Sequence, residues 1–563
     1  MIIELDKMTI SDLLKRSVKK FNQNKSIASV EEEFLTYSQM EHKVTDIVVD
    51  LCSHGIRRGD RVAILGENSP NWVVAYLAVT TMGCVAVPIL PGFPDSDSRH
   101  ILRQTEAVAL FVGEKQQSKL NGAQNTKLKV VYSLEDLSRA KDLSPSFLEK
   151  SLNFIPRDTS KVNKDSILEK IEGPKEEDLA TIIYTSGTTG HSKGVMLTHR
   201  NIVFDVVHSI ERFPINKNDR FLSILPLSHT FEATGGMLCP LAVGASISYM
   251  QGLPTPQKLL SAMQSVKPTA VLMVPLVIDK IYRKRILPQL TKSSILGFVY
   301  EHTPFRRFLN KAAGKKLIQS LGGQLRFFMF GGASLNEDVE SFLRDAGISY
   351  SSGYGMTETS PIMTINPFEK VKIGSCGKCI PGIQMKTDQG DTGTVGEILV
   401  KGPIVTRGYY KNPVATRETF TRDSWLKTGD LGYFDEEGYL FIKGRSKNVI
   451  VGPSGENIYP EIIEQHLLQS PYIQEVIVYE RNDRLVAQAY LDYDVIDEQF
   501  VSEMKNKDSQ TFITELLDKI RRDMNQQLSD FSHLHKIIEH PEPFEKTPTN
   551  KVKRYLYIEE TSV

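Results

Sequence analysis

Residues 181–194 read Thr-Ile-Ile-Tyr-Thr-Ser-Gly-Thr-Thr-Gly-His-Ser-Lys-Gly and decide the fold of this chain. The apolar residues 182–184 indicate a short buried strand, which a run of hydroxyl and glycine residues follows. Small residues let backbone N–H groups approach an anion closely, hydroxyl groups add donors, and Lys193 supplies a compact positive charge. The spacing differs from the Walker A pattern because the glycines and the lysine recur at every third position. The stretch predicts a loop that binds a polyphosphate rather than a flexible linker.

Length and composition describe an ordinary globular protein of more than one domain. The 563 residues exceed the roughly 250–300 residues at which a single core stops growing. Apolar residues make up 40% and charged residues 24%, and the 68 basic residues equal the 68 acidic ones in number. A net charge of zero gives no global attraction to nucleic acid or to an anionic membrane. No nucleic-acid partner is therefore expected.

Cysteine usage and the uncharged stretches favour a cytoplasmic protein. Five cysteines in a chain of this length do not make a disulfide framework, and the isolated pair Cys376-Gly-Lys-Cys379 predicts two loop cysteines rather than a zinc site. The N-terminal residues lack the basic region and the long apolar core of a signal peptide. Val73–Leu90 carries no charge, but its length and its Gly83 and Pro88 predict a helix followed by a strand of the core.

Apolar strand-like runs alternate with helix-like segments through most of the chain, as in Arg61–Leu65 before Asn71–Met82. This alternation predicts an α/β fold whose large N-terminal domain, residues 1–445, consists of stacked, helix-covered sheets. Short strands between Gly, Pro and Asp turns predict a small β-rich subdomain at about 376–445. Residues 446–563 predict a smaller, mobile α+β C-terminal domain.

The polyphosphate loop resembles the signature of the adenylate-forming superfamily, which includes acyl-CoA synthetases, firefly-type luciferases and the adenylation domains of peptide synthetases. In that family the loop holds the pyrophosphate end of ATP. Four motifs carry the resemblance, lie in the family's order from Thr181 to Lys551, and extend it over essentially the whole chain. The resemblance implies the fold predicted above, activation of a carboxylic acid, and the use of ATP, Mg²⁺ and CoA.

The second motif is Ser352-Gly-Tyr-Gly-Met-Thr-Glu-Thr-Ser360. A tyrosine between two glycines can present its ring face to a purine, and the threonine and glutamate after it offer a hydroxyl and a carboxylate side by side. By resemblance, Tyr354 stacks on adenine, Thr357 donates to the α-phosphate, and Glu358 binds Mg²⁺ with Thr185 nearby. A lone carboxylate beside a triphosphate suits Mg²⁺, which takes oxygen ligands and few protein contacts.

The third motif is Trp425-Leu-Lys-Thr-Gly-Asp-Leu431, followed at the family's spacing by Tyr439-Leu-Phe-Ile-Lys-Gly-Arg-Ser-Lys447. Asp430 lies in a tight Thr-Gly-Asp turn, where its carboxylate can accept hydrogen bonds from both ribose hydroxyls. By resemblance, Arg445 reaches the nucleotide and Lys447 is the hinge between the two domains.

The fourth motif is Thr547-Pro-Thr-Asn-Lys-Val-Lys-Arg554, in which Lys551 holds the place of the family's mobile adenylation lysine. The resemblance also predicts the residues that line the path of the CoA thiol: Gly452, Ser454 and Gly455. The chain departs from the family's usual residues at three positions: His191, Ser454 and Asn550. Asparagine tolerates left-handed backbone better than most residues, so Asn550 in place of the family's glycine is expected to change the backbone before Lys551 little. Ser454, which replaces a glycine of the predicted thiol path, is expected to affect the access of the thiol.

Transferred residue by residue, the resemblance predicts the following catalytic residues: Lys551, Thr357, Glu358 and Lys193. It predicts these residues to bind ATP or AMP: Thr185, Ser186, Gly187, Thr188, Thr189, Gly190, Lys193, Gly332, Ala333, Gly353, Tyr354, Gly355, Thr357, Asp430, Arg445 and Lys551. It predicts these residues at the acyl pocket: His229, Phe231 and Gly353. The predicted metal ligands are Thr185 and Glu358.

Pro226-Leu-Ser-His-Thr-Phe-Glu232 resembles the long-chain acyl-CoA synthetase branch, which favours His-x-Phe-Glu at this place, and His229 would gate the acyl pocket. Amino-acid-activating relatives carry an aspartate after the phenylalanine that pairs with the substrate amine, and Glu232 is one methylene longer. Apolar residues beyond it favour an alkyl chain: Met237, Leu238, Ala242 and Val243. The sequence therefore predicts the ligation of a long- or medium-chain fatty acid to CoA.

Two alternatives stay open. A stand-alone adenylation enzyme would load an acyl or aminoacyl group onto a carrier protein, which would be a free one because no fused carrier follows Lys551. A nucleotide- or lipid-binding pseudoenzyme would have no evident need for every residue of this set: Lys193, Glu358, Asp430, Arg445 and Lys551. The helix predicted at Thr9–Phe21 has an apolar and a basic side, which fits a core-packed helix or peripheral contact with a membrane.

Overall fold

The structure, a computed structural model, describes residues 3–121, 127–140, 154–157, 164–185, 192–252, 255–291, 300, 303–452, 455–497, 509–547 and 551–558. These residues divide into two compact units. The first comprises the chain up to Met385 together with Val400–Leu426, and the second comprises Lys386–Leu399 and the chain from Lys427 onward. Both units mix helices and strands, which confirms the predicted α/β class.

Two eight-stranded sheets form the centre of the first unit. The strands of one are, in spatial order, Ile27–Ser29, Ser246–Tyr249, Arg220–Ser223, Ala270–Met273, Phe327–Phe330, Ser349–Gly355, Ile362–Ile365 and Lys378–Cys379. The strands of the other are Phe154–Ile155, Arg139–Ala140, Val130–Ser133, Ala109–Val112, Arg61–Leu65, Val85–Ile89, Leu179–Thr185 and Lys193–Thr198. The central strands of both sheets pair in parallel, as an alternation of strands and helices requires.

Helices connect and cover these strands. The α-helices of the first unit are Ile10–Phe21, Tyr37–Ser53, Pro70–Thr81, Asp95–Thr105, Lys164–Leu168, His199–Ile210, Cys239–Val243, Pro256–Val266, Pro275–Ile281, Leu287–Leu290, Thr303–Ser320, Glu337–Ala346 and Pro413–Thr419. Short 3-10 helices occur at Glu114–Leu120 and Thr357–Thr359, and π-helical turns at Glu232–Leu238 and Tyr282–Ile286.

The uncharged stretch Val73–Leu90 belongs to the core. Its helix begins with Ser69 as N-cap, whose side chain accepts a hydrogen bond from the Trp72 N–H, and with Pro70 in the first turn, which has no N–H to satisfy. Trp72 and the residues that follow it to Val79 are at most 2% exposed, and the strand Val85–Ile89 is buried throughout. Within the described ranges, no helix combines the length and the apolarity that crossing a bilayer requires.

The N-terminal helix Ile10–Phe21 is packed into the core on its apolar side. Thr9 accepts a hydrogen bond from the Asp12 backbone and caps the helix. Its apolar residues are all buried: Ile10, Leu13, Leu14, Val18 and Phe21. Core packing therefore accounts for the amphipathic pattern of this helix.

The second unit holds three smaller sheets. Their strands are Gln384–Thr387, Gly396–Lys401, Leu426–Phe434 and Leu440–Arg445 in the first, Ile450–Val451 and Asn457–Ile458 in the second, and Ile473–Arg481, Arg484–Leu491 and Leu534–His540 in the third. Its helices are Ser446–Asn448, Pro460–Leu467, Ser509–Asn525, Asp530–Ser532 and Tyr555–Ile558. Residues 427–445, assigned from sequence to the first domain, group here with the second unit. The boundary at Arg445 and the hinge at Lys447 stay predictions.

Candidate active site

The polyphosphate loop joins two antiparallel strands at the edge of a sheet. Leu179–Thr185 pairs with Lys193–Thr198 so that Thr185 lies opposite Lys193. Gly194 allows this close pairing, because a Cβ there would lie 2.9 Å from Cγ2 of Ile182. The predicted loop residues between the strands lie outside the described residues: Ser186, Gly187, Thr188, Thr189, Gly190 and His191.

Lys193 and Glu358, which are distant in sequence, both contact Tyr409. The Nζ of Lys193 lies over the Tyr409 ring, 5.2 Å from its centroid. The Tyr409 hydroxyl donates a hydrogen bond of 2.7 Å to Oε1 of Glu358. Burial and the neighbouring Glu358 charge raise the pKa of the Tyr409 phenol, so the phenol stays protonated and can donate. The sequence alone does not single out Tyr409, because no local pattern links it to residues so distant in the chain.

Glu358 is held in a buried 3-10 turn beside Thr357. Only 7% of the residue is exposed, and its backbone carbonyl accepts a 2.8 Å hydrogen bond from the Thr406 N–H. Among the described residues, no group of three or more His, Cys, Asp or Glu side chains could hold a metal ion. With Glu358 as a carboxylate ligand, a cation would take its further oxygens from phosphates and water. This donor set fits Mg²⁺, with the Thr185 hydroxyl as the other predicted ligand.

Two glycines of the second motif are required by the backbone around them. Strand Ser349–Gly355 pairs antiparallel with Ile362–Ile365, and the register shifts between Tyr354 and Gly355. A Cβ at Gly353 would lie 2.7 Å from the Thr364 carbonyl oxygen, and one at Gly355 only 1.8 Å from the Pro361 carbonyl oxygen. This close approach fixes the half-buried Tyr354 between the two glycines.

Phe231 is close to the predicted nucleotide loop. The strand Phe327–Phe330 ends at Gly331, where a Cβ would lie 2.9 Å from Cζ of the Phe231 ring. Gly332 adopts a left-handed conformation with φ of 81°, and both it and Ala333 are exposed. The structure therefore brings a residue predicted for the acyl pocket next to residues predicted for the nucleotide.

His229 is bound within its own loop, since its Nδ1 accepts a 3.3 Å hydrogen bond from the Phe231 N–H. The apolar residues beyond Glu232, which favour an alkyl chain by sequence, are at most 2% exposed and belong to the main core: Met237, Leu238, Ala242 and Val243. Packing alone therefore accounts for their apolar character, and they give no independent support for a fatty substrate.

Glu232 opens a π-helical turn and is 1% exposed. Its carboxyl group lies against Gly236, where a Cβ would come within 2.5 Å of it, and its Oε2 has no hydrogen-bond partner among the described residues. Burial raises the pKa of this carboxyl to about 8, opposed in part by a hydrogen bond with Ser223. Glu232 is thus largely protonated at pH 7, unlike a carboxylate that pairs with a substrate amine.

We expect Glu232→Gln to change how stability depends on pH. In the wild type the pKa is raised from 4.5 to about 8, so the protonated form stabilises the fold fully below pH 4.5. This contribution is lost as the pH rises through about 8, because ionisation leaves a buried charge. As the pH rises from 5 to 9, the free energy of unfolding of the glutamine variant should therefore increase relative to that of the wild type by on the order of a few kcal/mol.

Thermal unfolding followed by circular dichroism across that pH range would measure the difference. Asp205, whose pKa burial also raises to about 8, is common to both proteins and cancels in the comparison. The exposed Glu418→Gln is the matched control and should run parallel to the wild type. Parallel curves for Glu232→Gln would contradict the raised pKa.

In the second unit, Asp430 and Arg445 face each other on neighbouring antiparallel strands. The Arg445 Nε lies 2.7 Å from Oδ1 of Asp430, and the Asp430 side chain is 9% exposed while that of Arg445 is 48% exposed. Gly429 has φ of 72°, but Thr428, Gly429 and Asp430 lie within the strand Leu426–Phe434 and not in the tight turn predicted from sequence, because Asp430 pairs with Arg445 on the neighbouring strand. The structure thus joins two of the predicted nucleotide residues in an ion pair. Lys447 is exposed in the 3-10 turn that follows.

Lys551 is exposed on a hairpin near the end of the chain. Its backbone N–H and carbonyl both bond to Thr547, at 3.2 and 2.7 Å. Arg554 anchors the hairpin, because its guanidinium lies 2.6 Å from Oε1 of Glu464 and donates to the Val478 carbonyl. Asn550 lies outside the described residues.

The predicted thiol path lies on another hairpin of this unit, between Ile450–Val451 and Asn457–Ile458. The Gly452 N–H donates to the Glu456 carbonyl, and the Gly455 N–H donates to that of Gly452. Gly455 has φ of 91°, a conformation that favours glycine. Ser454 lies outside the described residues.

The chain is similar in sequence to known enzymes. The family model described as AMP-binding enzyme matches residues 14–410. Long-chain-fatty-acid–CoA ligase FadD15 of Mycobacterium bovis is 30% identical over 473 residues, which cover 79% of this chain and 75% of that protein. Long chain acyl-CoA synthetase 7, peroxisomal, of Arabidopsis thaliana is 28% identical over 601 residues, covering 97% of this chain and 84% of that protein.

A solved structure shares the fold over nearly the whole chain. The anthranilate CoA ligase AuaEII in complex with anthranoyl-AMP superposes with a TM-score of 0.76 at 21% identity, covering 98% of this chain and 97% of that one. At this level of identity the likeness concerns the fold alone.

Proposed function

Because this chain belongs to the AMP-binding enzyme family, we propose that it is an AMP-forming acid–thiol ligase. It activates a long- or medium-chain fatty acid with ATP to an acyl adenylate and transfers the acyl group to CoA. The observation that carries the proposal is the contact of Tyr409 with both Lys193 and Glu358, the residues that we propose to bind the phosphates and the metal ion.

The first half-reaction joins the acid to AMP. A carboxylate oxygen of the fatty acid attacks the α-phosphorus of ATP, the new acyl oxygen–phosphorus bond forms, and the bond to pyrophosphate breaks. No general base is required, because the carboxylic acid is already ionised at pH 7. Catalysis consists of positioning and charge stabilisation, with Lys193 at the outer phosphates and Thr357 and Lys551 at the α-phosphate. Mg²⁺ held by Glu358 and Thr185 would neutralise phosphate charge.

The second half-reaction transfers the acyl group. The thiol of CoA gives its proton to water, its sulfur attacks the carbonyl carbon of the adenylate, and the carbon–oxygen bond to AMP breaks, so that AMP leaves with the bonding electrons on its phosphate oxygen. We propose that Gly452, Ser454 and Gly455 lie on the thiol's path and that Lys447 is the hinge that exchanges the adenylation lysine for this segment.

Fatty acids are favoured as substrates by the relatives named above, which include a long-chain-fatty-acid–CoA ligase and a long chain acyl-CoA synthetase. The buried, largely protonated Glu232 also disfavours an amino acid, whose ammonium group would need an ionised partner. A free acyl carrier protein is the alternative acceptor. A nucleotide- or lipid-binding protein without catalysis is the other alternative.

The test is pyrophosphate release with Mg²⁺-ATP across carboxylates from acetate to oleate, together with amino acids, each with and without CoA. We expect release that depends on a fatty acid, and formation of acyl-CoA when CoA is present. Formation of a thioester on a carrier protein but not on CoA would identify a free acyl carrier protein as the acceptor. Absence of release with every acid, from a protein that still binds ATP and unfolds cooperatively, would refute the ligase.

A further inference from the structure

Tyr409 is placed by backbone hydrogen bonds that are independent of its side chain. The Met196 N–H donates to the Gly408 carbonyl at 3.0 Å, and the Tyr410 N–H donates to the Gly194 carbonyl at 2.7 Å. Tyr409 is therefore fixed beside the strand that begins with Lys193, and it is 8% exposed. Its ring and its hydroxyl reach two different functional groups from this one position.

The partner of its hydroxyl distinguishes this residue from an ordinary buried tyrosine. A buried phenol finds a hydrogen-bond partner in most proteins, so the bond alone has no functional meaning. Here the partner is Oε1 of Glu358, the proposed metal ligand, at 2.7 Å. Because the phenol occupies one lone pair of Oε1, Oε2 is the oxygen of this carboxylate that is better able to bind a cation.

A carboxylate that offers one oxygen discriminates between divalent ions. Mg²⁺ demands near-octahedral geometry, keeps several waters and binds through one or two carboxylates. Ca²⁺ takes six to eight oxygens and often uses both oxygens of a carboxylate. A phenol that occupies Oε1 therefore favours Mg²⁺, and its removal would open the two-oxygen mode to Ca²⁺.

We propose that Tyr409 is a positioning residue that makes Glu358 a one-oxygen ligand and so selects Mg²⁺ over Ca²⁺. This inference rests on the proposed function, because it takes Glu358 as the metal ligand. The Tyr409 ring has a separate role: it holds the Lys193 ammonium by a cation–π contact, 5.2 Å from the ring centroid. The hydroxyl thus affects metal binding through Glu358, and the ring affects phosphate binding through Lys193.

Calorimetric titration with α,β-methylene ATP, a non-hydrolysable analogue, tests the two roles without turnover. Each protein is titrated in EDTA, in Mg²⁺ and in Ca²⁺. Tyr409→Phe removes the hydroxyl and keeps the ring, while Tyr409→Leu removes both. Tyr410→Phe, the same chemical change one residue further on, is the matched control.

In EDTA we expect Tyr409→Phe to bind the ATP analogue with wild-type affinity. The factor by which Mg²⁺ increases this affinity should be about tenfold smaller than in the wild type. The factor by which Ca²⁺ increases the affinity should decrease less. The ratio of the affinity in Mg²⁺ to the affinity in Ca²⁺ should therefore be smaller than in the wild type. Tyr409→Leu should in addition bind the metal-free analogue about threefold more weakly, because Lys193 loses its ring. Tyr410→Phe should match the wild type throughout.

The outcomes separate this inference from the proposed function. If the wild type binds the analogue with no dependence on metal, the proposed role of Glu358 fails. If the wild type depends on Mg²⁺ but Tyr409→Phe keeps its preference for Mg²⁺ over Ca²⁺, only the role of Tyr409 fails. An equal loss of affinity in EDTA, Mg²⁺ and Ca²⁺ would assign Tyr409 a purely structural role and overturn the inference.

Discussion

A Lys551→Ala variant is expected to form acyl adenylate about 10²- to 10³-fold more slowly, the loss typical of removing one donor to developing negative charge. The thioester step, in which CoA attacks the finished adenylate, should keep most of its rate. Two assays separate the steps: pyrophosphate–ATP exchange that depends on fatty acid measures the first, and the consumption of prepared acyl-AMP by CoA measures the second.

The structure makes this variant a suitable test, because backbone groups and Arg554 make the contacts that hold the hairpin. The residue is exposed, its backbone groups bond to Thr547, and Arg554 anchors the hairpin through Glu464. Lys553→Ala on the same hairpin is the matched control. It removes a surface ion pair of 3.2 Å with Glu545, which contributes little to stability, and should leave both steps unchanged. An equal loss of both steps in Lys551→Ala would contradict a role confined to adenylation.

A Gly355→Ala variant is expected to lose more than about 3 kcal/mol of unfolding free energy, together with nucleotide binding. Its Cβ would lie 1.8 Å from the Pro361 carbonyl oxygen and 2.8 Å from the carbonyl carbon. Both are backbone atoms of the adjoining segment, so no side-chain rotation can relieve the contact. The strand pairing around Tyr354 must open instead, and the 3-10 turn that holds Glu358 is attached to it.

Denaturant unfolding and titration with the ATP analogue measure the two effects. Gly173→Ala is the control, since a Cβ at Gly173 would meet no atom within 4 Å and the backbone there is ordinary for any residue. That variant should stay within about 0.5 kcal/mol of the wild type. A Gly355→Ala protein of wild-type stability would mean that the register shift beside Gly355 can relax without cost.

Much of the fold is readable from sequence because its signals are local. The strand Arg61–Leu65 is found with the predicted bounds, and the helix predicted at Asn71–Met82 is found at Pro70–Thr81. Apolar runs, a serine cap and a proline in the first turn all act within a few residues, so they can be read without knowledge of the rest of the chain. The family resemblance supplied the order of the motifs, which local patterns cannot.

What the sequence could not reveal depends on contacts between distant segments. Tyr409 lies 51 positions from Glu358, and the two meet because its segment bonds to the Glu358 turn, where the Thr406 N–H donates to the Glu358 carbonyl. The ionisation of Glu232 depends on burial among other elements, which its neighbours in sequence do not disclose. The grouping of residues 427–445 with the C-terminal unit likewise depends on contacts in the folded chain rather than on composition.

The ion pair between Asp430 and Arg445 has a consequence for ligand choice. Asp430 is nearly buried, and the arginine already neutralises its charge before any ligand arrives. A ribose at Asp430, the nucleotide role proposed for this residue, would therefore share the carboxylate with the arginine or displace it from Oδ1. A ribose with two adjacent hydroxyls can make that exchange, whereas a deoxyribose offers half of it. In the proposed site, the arginine would thereby compete with the sugar and lower the affinity for nucleotides that lack one ribose hydroxyl.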